Sequence, residues 1–479
     1  MAELRLERLT PPHIGLLGAV AAAGGRRVTA ALVGGAVRDA WLGRPLSQDI
    51  DVAVPAGAVD LARRVADRLA GAFVLLDAER GAARVLALGR QLDLTDFRAP
   101  TLEGDLAARD YTVNALAVPL GALLRRGRAP IVDPTGGLAD LRARRLRPPS
   151  RGALADDPLR ALRGVRLELA LGLRLTPGAA RAVAAVAPAL AAVSAERIRD
   201  ELIALLALPE TARALRRADR LGLLAVVLPE VEPMRTTPQP APHRFSVLEH
   251  SLRAVAAADL VVARSERLEP FGDELAPHLR EPLGGGIERA NTLKLAALLH
   301  DVSKPQTRRA IGGRIRFFEH DVLGAIRVRA IGERLRLPEA VTAVLARLVR
   351  HHLRPMHLAG AEAVTDRARY RFYRDLGPET RDLLLLALVD AAAVRGESPL
   401  RVWRRATLIR DLLGGWEVQR RAVAAPPLVR GQDVMERFGL GPGPEVGRLL
   451  ARAREAQDLG LVGTREEALA YLDSGGGDS

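Results

Sequence analysis

Apolar and polar positions divide the chain into two kinds of territory. Up to about residue 145, short apolar runs alternate with helical stretches. Residues 1–25 read as helix, ending at Gly24-Gly25. The run Val28–Val33 breaks into Gly34-Gly35 and resumes with helical spacing over 36–42, which predicts a strand–turn–helix unit. Asp49–Val54 alternates as a strand does and stops at Pro55. A helix over 59–69 and strands over 73–76, 83–88 and 91–97 complete an α/β region of ordinary domain size. Past Pro148-Pro149 the strand pattern fades, and residues 157–228 read as helix punctuated by Pro177-Gly178, Pro188 and Pro209. A Pro-rich linker, Glu232–Pro242, precedes a second helical block over 243–395. A last helical segment follows Pro426-Pro427, and the tail Ser474–Ser479 is expected to be disordered. The expected fold class is therefore α+β and multidomain, with boundaries at 1–147, 148–235, 243–395 and 396–473.

Composition narrows the function classes. Hydrophobic residues make up 48% and charged residues 27%, which fits a foldable globular chain. Aromatics at 3% leave Leu, Ala and Val to build the cores, and that leans towards helix. The formal charge of +14 suits a polyanionic partner, although lysine occurs only at Lys294 and Lys304, so a drift towards arginine contributes. With no cysteine, disulfides and thiolate zinc sites are excluded, and a reducing cytoplasm is compatible. The stretch Ile14–Ala23 is too short to span a bilayer, and Glu3, Arg5, Glu7 and Arg8 do not make a signal peptide. A cytoplasmic protein with no membrane partner is expected.

Residues 32–55, LVGGAVRDAWLGRPLSQDIDVAVP, carry the first chemistry. Gly34 and Gly35 sit between strand and helix, where bare backbone N–H groups approach a triphosphate and the helix N-terminus favours it. Arg38, one turn on, can reach a phosphate oxygen. Asp49 and Asp51 lie two apart on a strand, so both carboxylates face one way. Their mutual repulsion is relieved by a divalent cation, and Mg²⁺ shared with substrate phosphates is the usual arrangement for nucleotidyl transfer. Asp93, on a neighbouring strand, is a third carboxylate candidate.

This pattern resembles the polymerase-β-like nucleotidyltransferase head of the bacterial class II CCA-adding enzymes and their relatives, the bacterial poly(A) polymerases. Further motifs match in order. In Arg109-Asp110-Tyr111-Thr112-Val113-Asn114-Ala115 the family has Phe at the place of Tyr111. The resemblance implies that Asp110 recognises the ribose hydroxyls and that Arg109 and Asn114 help to bind the nucleotide. Asp133–Leu141 is similar to the link between head and neck and reads as a structural turn. Asp156-Asp157-Pro158-Leu159-Arg160, followed by Arg163 and Arg166, departs from the family's Glu-Asp-x-x-Arg only at Asp156. A carboxylate beside a guanidinium complements the donor–acceptor edge shared by cytosine and adenine and opposes that of guanine and uracil. Asp157 and Arg160, three apart on one helix face, are thus expected to read the incoming base, although an isolated pair so spaced is an ordinary helical salt bridge. Ser194-Ala195-Glu196-Arg197 is expected to brace that helix.

Eight of the nine histidines fall between His243 and His357. His300-Asp301 ends a mostly apolar helix, and His250, His320, His351-His352 and Asp390 surround it in sequence. This set resembles the phosphohydrolase domain named for its His-Asp pair. The resemblance implies that His250, His300, Asp301 and Asp390 hold one metal while His320 and His352 support a second. Such ligands suit Mn²⁺, Fe²⁺, Ni²⁺ or Co²⁺. Ser303 stands where glycine is common, which bears on turnover.

The resulting expectation is a template-independent enzyme that adds CMP and/or AMP from CTP and ATP to the 3′ end of tRNA. Narrower readings are CC-only addition, A-only addition or poly(A) synthesis. A different class is a metal phosphohydrolase with an idle head. The element that permits a switch from C to A is expected between Leu76 and Glu103. Nothing in the sequence indicates the oligomeric state.

Overall fold

The computed structural model describes residues 2–25, 29–421 and 426–474. Val28 and residues 475–479 of the expected disordered tail lie outside the described residues. The chain forms two compact units, Met1–Pro229 and Glu230–Ser479.

In the first unit, β1 (Glu3–Arg5) pairs antiparallel with β8 (Arg128–Pro130). The opening residues are therefore not helical throughout. Helix α1 (Pro11–Gly24) starts only where prolines occupy its first positions, at which no backbone N–H is needed. A six-stranded sheet follows, built from β2 (Ala31–Val33), β3 (Asp49–Val54), β4 (Ala72–Asp77), β5 (Ala82–Ala87), β6 (Arg90–Asp96) and β7 (Ala117–Pro119), in the order β4-β5-β6-β3-β2-β7. Helix α2 (Gly35–Leu42) leaves the end of β2. Helix α3 (Ala58–Leu69) buries Leu61, Ala62, Val65 and Ala66, one apolar stripe at helical spacing, against β5 and β6. Within β3, Ile50 and Val52 are fully buried, which leaves Asp49 and Asp51 on the opposite face. Beyond the sheet come α4 (Leu159–Ala170) and α5 (Ala195–Leu206), packed on each other.

The second unit is mainly helical. Helices α6 (Val247–Ala263), α7 (Arg289–Leu299), α8 (His320–Arg334), α9 (Glu339–His351) and α10 (Thr380–Arg395) surround its core. Every residue of α7 is buried, so neighbours cover all its sides. Two features differ from the expected helices and linker. Glu232–Thr236, inside the Pro-rich stretch, is helical. Within the second block, β9 (Arg308–Ile311) and β10 (Arg314–Phe317) form an antiparallel hairpin. A smaller strand pair, Pro282–Gly284 with Ile287–Glu288, turns at the glycine run. The last helices, α11 (Gly431–Phe438), α12 (Pro444–Asp458) and α13 (Arg465–Asp473), enclose Val434, Ala456, Ala468 and Leu472. Among the described residues no helix is long and apolar enough to cross a membrane.

Candidate active site and metal centre

Sheet register brings the acidic residues of the first unit together. Asp51 on β3 lies opposite Asp93 on β6, and Asp93 lies opposite Arg84 on β5, so the three side chains share one face. Asp49 is on the same face at the exposed start of β3. Arg84 grips Asp93 with two bonds, Nε to Oδ1 at 2.7 Å and Nη2 to Oδ2 at 2.9 Å. Desolvation pushes the carboxyls of Asp49 and Asp51 above their ordinary values. Arg84 opposes the rise at Asp49, Arg109 opposes it at Asp51, and Asp93 adds to it at both. This carboxylate row thus favours a cation beside it.

Gly34 has φ of 79°, and a β-carbon there would stand 3.2 Å from Asp51 Oδ2 and 3.4 Å from Arg109 Nη1. The backbone conformation calls for glycine, and a side chain here would also press on the Asp51 carboxylate and the Arg109 guanidinium. Next to it opens a cleft of about 930 Å³ lined by Gly34, Gly35, Asp51, Arg109, Asp110, Asn114, Asp157, Arg160 and Arg163. Four expected residues are not in that lining, among them Asp93, which Arg84 holds. Asp49 is at the exposed strand start. Arg38 donates from Nε and Nη2 to the Asp39 carboxylate at 2.8 Å each and from Nη1 to Asn114 Oδ1, so it orients the wall. Arg166 is tied to Glu201.

The remaining residues form a chain of contacts. Asn114 Nδ2 donates to both Asp110 oxygens at 3.2 Å, Tyr111 N donates to Asp110 Oδ1 at 2.7 Å, and Arg163 Nη1 stands 3.5 Å from Asp110 Oδ2. Tyr111 is fully buried and donates its hydroxyl to the Arg160 carbonyl at 2.9 Å. A β-carbon at Gly164 would meet that hydroxyl at 1.9 Å, so the glycine makes room for the tyrosine. Asp157 is not on the helix with Arg160. It has extended backbone in the turn before α4, and its Oδ2 lies 3.9 Å from Arg160 Nε but 2.7 Å from Arg197 Nη2. Arg160 Nη1 instead donates to the carbonyls of Arg109 at 3.1 Å and Ala153 at 2.9 Å.

Sequence reasoning missed Arg84, Arg98 and Arg197 as members of this site. Arg98 and Arg197 line the cleft, and desolvation with the nearby Arg109 holds the Arg98 guanidinium below its ordinary value, as crowded cations do before an anion binds. Arg84 is foreshadowed by strand alternation, since it faces the same way as Asp93 once the strands pair. Arg197 is part of the Ser194–Arg197 motif. No local signal marks Arg98.

In the second unit, five helices deliver the His-Asp set. His250 Nε2 lies 3.3 Å from His300 Nε2 and 3.0 Å from Asp390 Oδ1. His320 Nε2 lies 3.2 Å from His352 Nε2. Asp301 lies between the two groups, with Oδ2 at 3.2 Å from His300 and Oδ1 at 3.4 Å from His320 and 3.6 Å from His352. Ligand-atom spacing therefore makes two triads, His250–His300–Asp390 and Asp301–His320–His352, and shifts Asp301 from the first group towards a bridging place.

The tautomers explain how the ligands are aimed. The Nδ1–H of His300, His320 and His352 donates to the carbonyls of Ala297 (3.0 Å), Phe317 (3.0 Å) and Val349 (2.7 Å). That leaves a lone pair on each Nε2. Two such lone pairs facing each other at 3.2 Å, as in His320 and His352, repel unless a cation or proton lies by them. The donors thus fit a divalent metal at each triad. Burial alone would raise the Asp301 carboxyl, but His300 and Lys304, whose Nζ is 2.6 Å away, outweigh it and hold it well below its usual range. Ser303 has φ of −101°, so this position makes no conformational demand for glycine. His243 was not singled out as a site residue. Its ring stands 4.9 Å from that of His250, and burial, then Lys304, pushes it down to about 4.

Comparison with known proteins identifies the domains in which the two sites lie. Residues 30–147 match the family described as Poly A polymerase head domain, 172–235 the Probable RNA and SrmB- binding site of polymerase A, and 247–394 the HD domain. The chain is 40% identical to the A-adding tRNA nucleotidyltransferase of Deinococcus radiodurans, over 92% of this chain and 94% of the relative. It belongs to the tRNA nucleotidyltransferase family. The CC-adding tRNA nucleotidyltransferase of Thermus thermophilus is 38% identical, with 92% of each chain covered. The structure of the Bacillus stearothermophilus CCA-adding enzyme in complex with CTP matches at a TM-score of 0.61 and 25% identity, covering 97% of this chain and 98% of that one. The chain is a nucleotidyltransferase, and its head and HD domain are of kinds that generally need divalent metals.

Proposed function

We propose that this enzyme adds CMP and/or AMP from CTP and ATP to the 3′ end of tRNA. The observation that carries this reading is one cleft in which Asp51 of the carboxylate row, Asp110, six arginines and an Asp157–Arg197 pair converge. Asp49 and Asp51 would hold Mg²⁺, which supplies charge neutralisation at the α-phosphate. In the reaction the RNA 3′ oxygen bonds to the α-phosphorus, the bridge to the β-phosphate breaks and pyrophosphate leaves. Arg98, Arg109 and Arg163 face the triphosphate, Asp110 accepts from the ribose hydroxyls, and Asp157 with Arg160 meets the base edge. Positioning and electrostatics therefore supply most of the catalysis.

A narrower reading, addition of C only or of A only, turns on the segment 76–103. It contains tight connections rather than a long loop: Ala78–Gly81 joins β4 to β5, and Leu88-Gly89, with φ of 54° and 66°, joins β5 to β6. The Deinococcus and Thermus relatives carry partial-addition names as well. In the second unit, the two triads would hold transition metals such as Mn²⁺, Ni²⁺ or Co²⁺, which supply an activated water for phosphoester hydrolysis.

The deciding assay supplies tRNA transcripts ending before CCA, after C and after CC with each ribonucleotide singly and with CTP plus ATP. Growth of every transcript to CCA means full addition, and growth of one subset means a specialist. Long A tails would replace this reading with poly(A) synthesis, and no growth at all would refute it.

A further inference from the structure

The hairpin β9–β10 supplies neither site with a metal or nucleotide group, although the Phe317 carbonyl at its end accepts from His320 Nδ1, and its side chains are unusual for a solvent-facing ribbon. Its register is regular: Arg308 faces Phe317, Arg309 faces Arg316, Ala310 faces Ile315 and Ile311 faces Arg314. The tip is Gly312-Gly313, with φ of 55° and 72°, the two-residue turn that matches strand twist. Opposed residues share a face, so Arg309, Arg314 and Arg316 stand together on one side, all exposed. The other side turns inward. Ile315 and Phe317 are half-buried, and the Phe317 ring has Lys304 Nζ at 5.4 Å and the His320 ring at 6.4 Å.

This arrangement works against the stability of the ribbon. Like charges directly across a ladder destabilise it, and an isolated pair of strands is marginal by itself. Among the described residues no carboxylate stands within ion-pair distance of Arg308, Arg309, Arg314 or Arg316. By contrast Arg334, Arg347 and Arg350 nearby in sequence each have an acidic partner. A cationic face on a hairpin without internal counter-charges has its complement in an external polyanion.

We propose that the β9–β10 hairpin is an RNA-binding arm, whose Arg309, Arg314 and Arg316 grip the phosphate backbone independently of sequence. RNA is the polyanion because the reaction proposed above acts on it. A backbone grip suits the geometry, since guanidinium groups on one face form phosphate contacts that position a strand without reading bases. The inference rests on the RNA-directed reading of the head and not on any activity of the His-Asp centre.

The test measures binding of full-length protein to a tRNA transcript lacking CCA, in EDTA, across a salt series. In the triple variant Arg309→Gln, Arg314→Gln, Arg316→Gln, affinity falls about 10-fold near 0.1 M salt, and the log–log salt slope shrinks by about 2, the release expected for three phosphates. The Arg→Lys triple variant keeps most of both. As a second measurement that needs no variant, ultraviolet crosslinking of the unaltered protein to the same RNA puts adducts on the peptide spanning 308–317. An unchanged slope in the glutamine variant, or adducts confined to other segments, overturns the proposal. Retained tRNA binding with loss of binding to phosphatidylserine vesicles would assign the face to a membrane and overturn it too. If CCA-end addition itself is absent while the salt slope still shrinks, the head reading fails and the arm stands.

Discussion

The two centres of this protein gather negative charge and metal-ligating atoms in opposite ways. In the second unit, side chains from five helices form two triads whose ligand atoms all lie within 4.8 Å of one another, and Asp49, Asp51 and Asp93 form no such set. The helical centre is a cage, closed by hydrogen bonds from Nδ1 of His300, His320 and His352 to backbone carbonyls. The head instead sets a few carboxylates on strands beside a cleft that six arginines help to line. A cage completes its own metal, whereas an open row leaves coordination to the substrate's phosphates. On this reading the first would hold a metal in the resting protein, and the second would complete its site as the nucleotide arrives.

Removing the open row tests this most severely. With Asp49→Ala and Asp51→Ala together, nucleotide addition should fall by about 10³-fold or more, because neutralisation at the reacting phosphate goes with them. Metal bound to the second unit, measured after gel filtration, should not change. A double variant that keeps a tenth of its activity would show that the arginines alone suffice.

The converse change is His300→Ala. Losing one imidazole of a cage should weaken transition-metal affinity by about 100-fold and abolish the rise in unfolding temperature that added metal produces. Addition of nucleotides with Mg²⁺ should continue at the rate of the unaltered enzyme. If addition stops as well, the two centres are not chemically separate, and the contrast between cage and open row loses its functional meaning.

Arg197→Ala probes a finer property of the head. Because Asp157 is held by Arg197 at 2.7 Å and not by Arg160, losing that guanidinium frees the carboxylate to turn. Discrimination against UTP and GTP, taken from ratios of kcat/KM, should drop by about 10- to 100-fold, with a smaller fall for the favoured nucleotide. Arg197→Lys should recover part of it. Equal losses for all four nucleotides would mean that Arg197 only braces the fold.

How legible each centre was follows from the kind of geometry that builds it. Asp49 and Asp51 could be paired from sequence since a strand repeats every two residues, and Gly34 marked the turn because side chains do not tolerate its backbone angles. The clustering of six His and Asp residues was readable through order and resemblance. The regrouping of Asp301 was not, because which oxygen faces which imidazole is decided by helix packing. Arg84 reaches Asp93 through strand register and Arg197 reaches the cleft from a neck motif, whereas Arg98 has no local signature. The hairpin was hidden by helical surroundings, although the alternation about Gly312-Gly313 was there to be found. Tyr111 in place of phenylalanine is explained only by Gly164, fifty-three positions away in sequence.

The smallest effect concerns what the open row costs the metal-free protein. Desolvation, with Asp93 adding to it, raises the Asp51 carboxyl above its unfolded value, against the pull of Arg109. Between the two values the folded state binds more protons than the unfolded one, so stability falls as pH rises through that window, and the deficit persists above it. Asp51→Asn keeps the shape and removes the charge. In EDTA its unfolding temperature should therefore exceed that of the unaltered protein at pH 7, and the gap should close as pH falls below about 4, where the unfolded carboxyl is protonated too. Millimolar Mg²⁺ with CTP should shrink the gap at pH 7 by stabilising only the protein that retains the carboxylate. A variant less stable than the original at pH 7 in EDTA would mean that Arg109 more than offsets the desolvation. The row would then be settled without a cation, and the head would resemble the cage more closely than its geometry indicates.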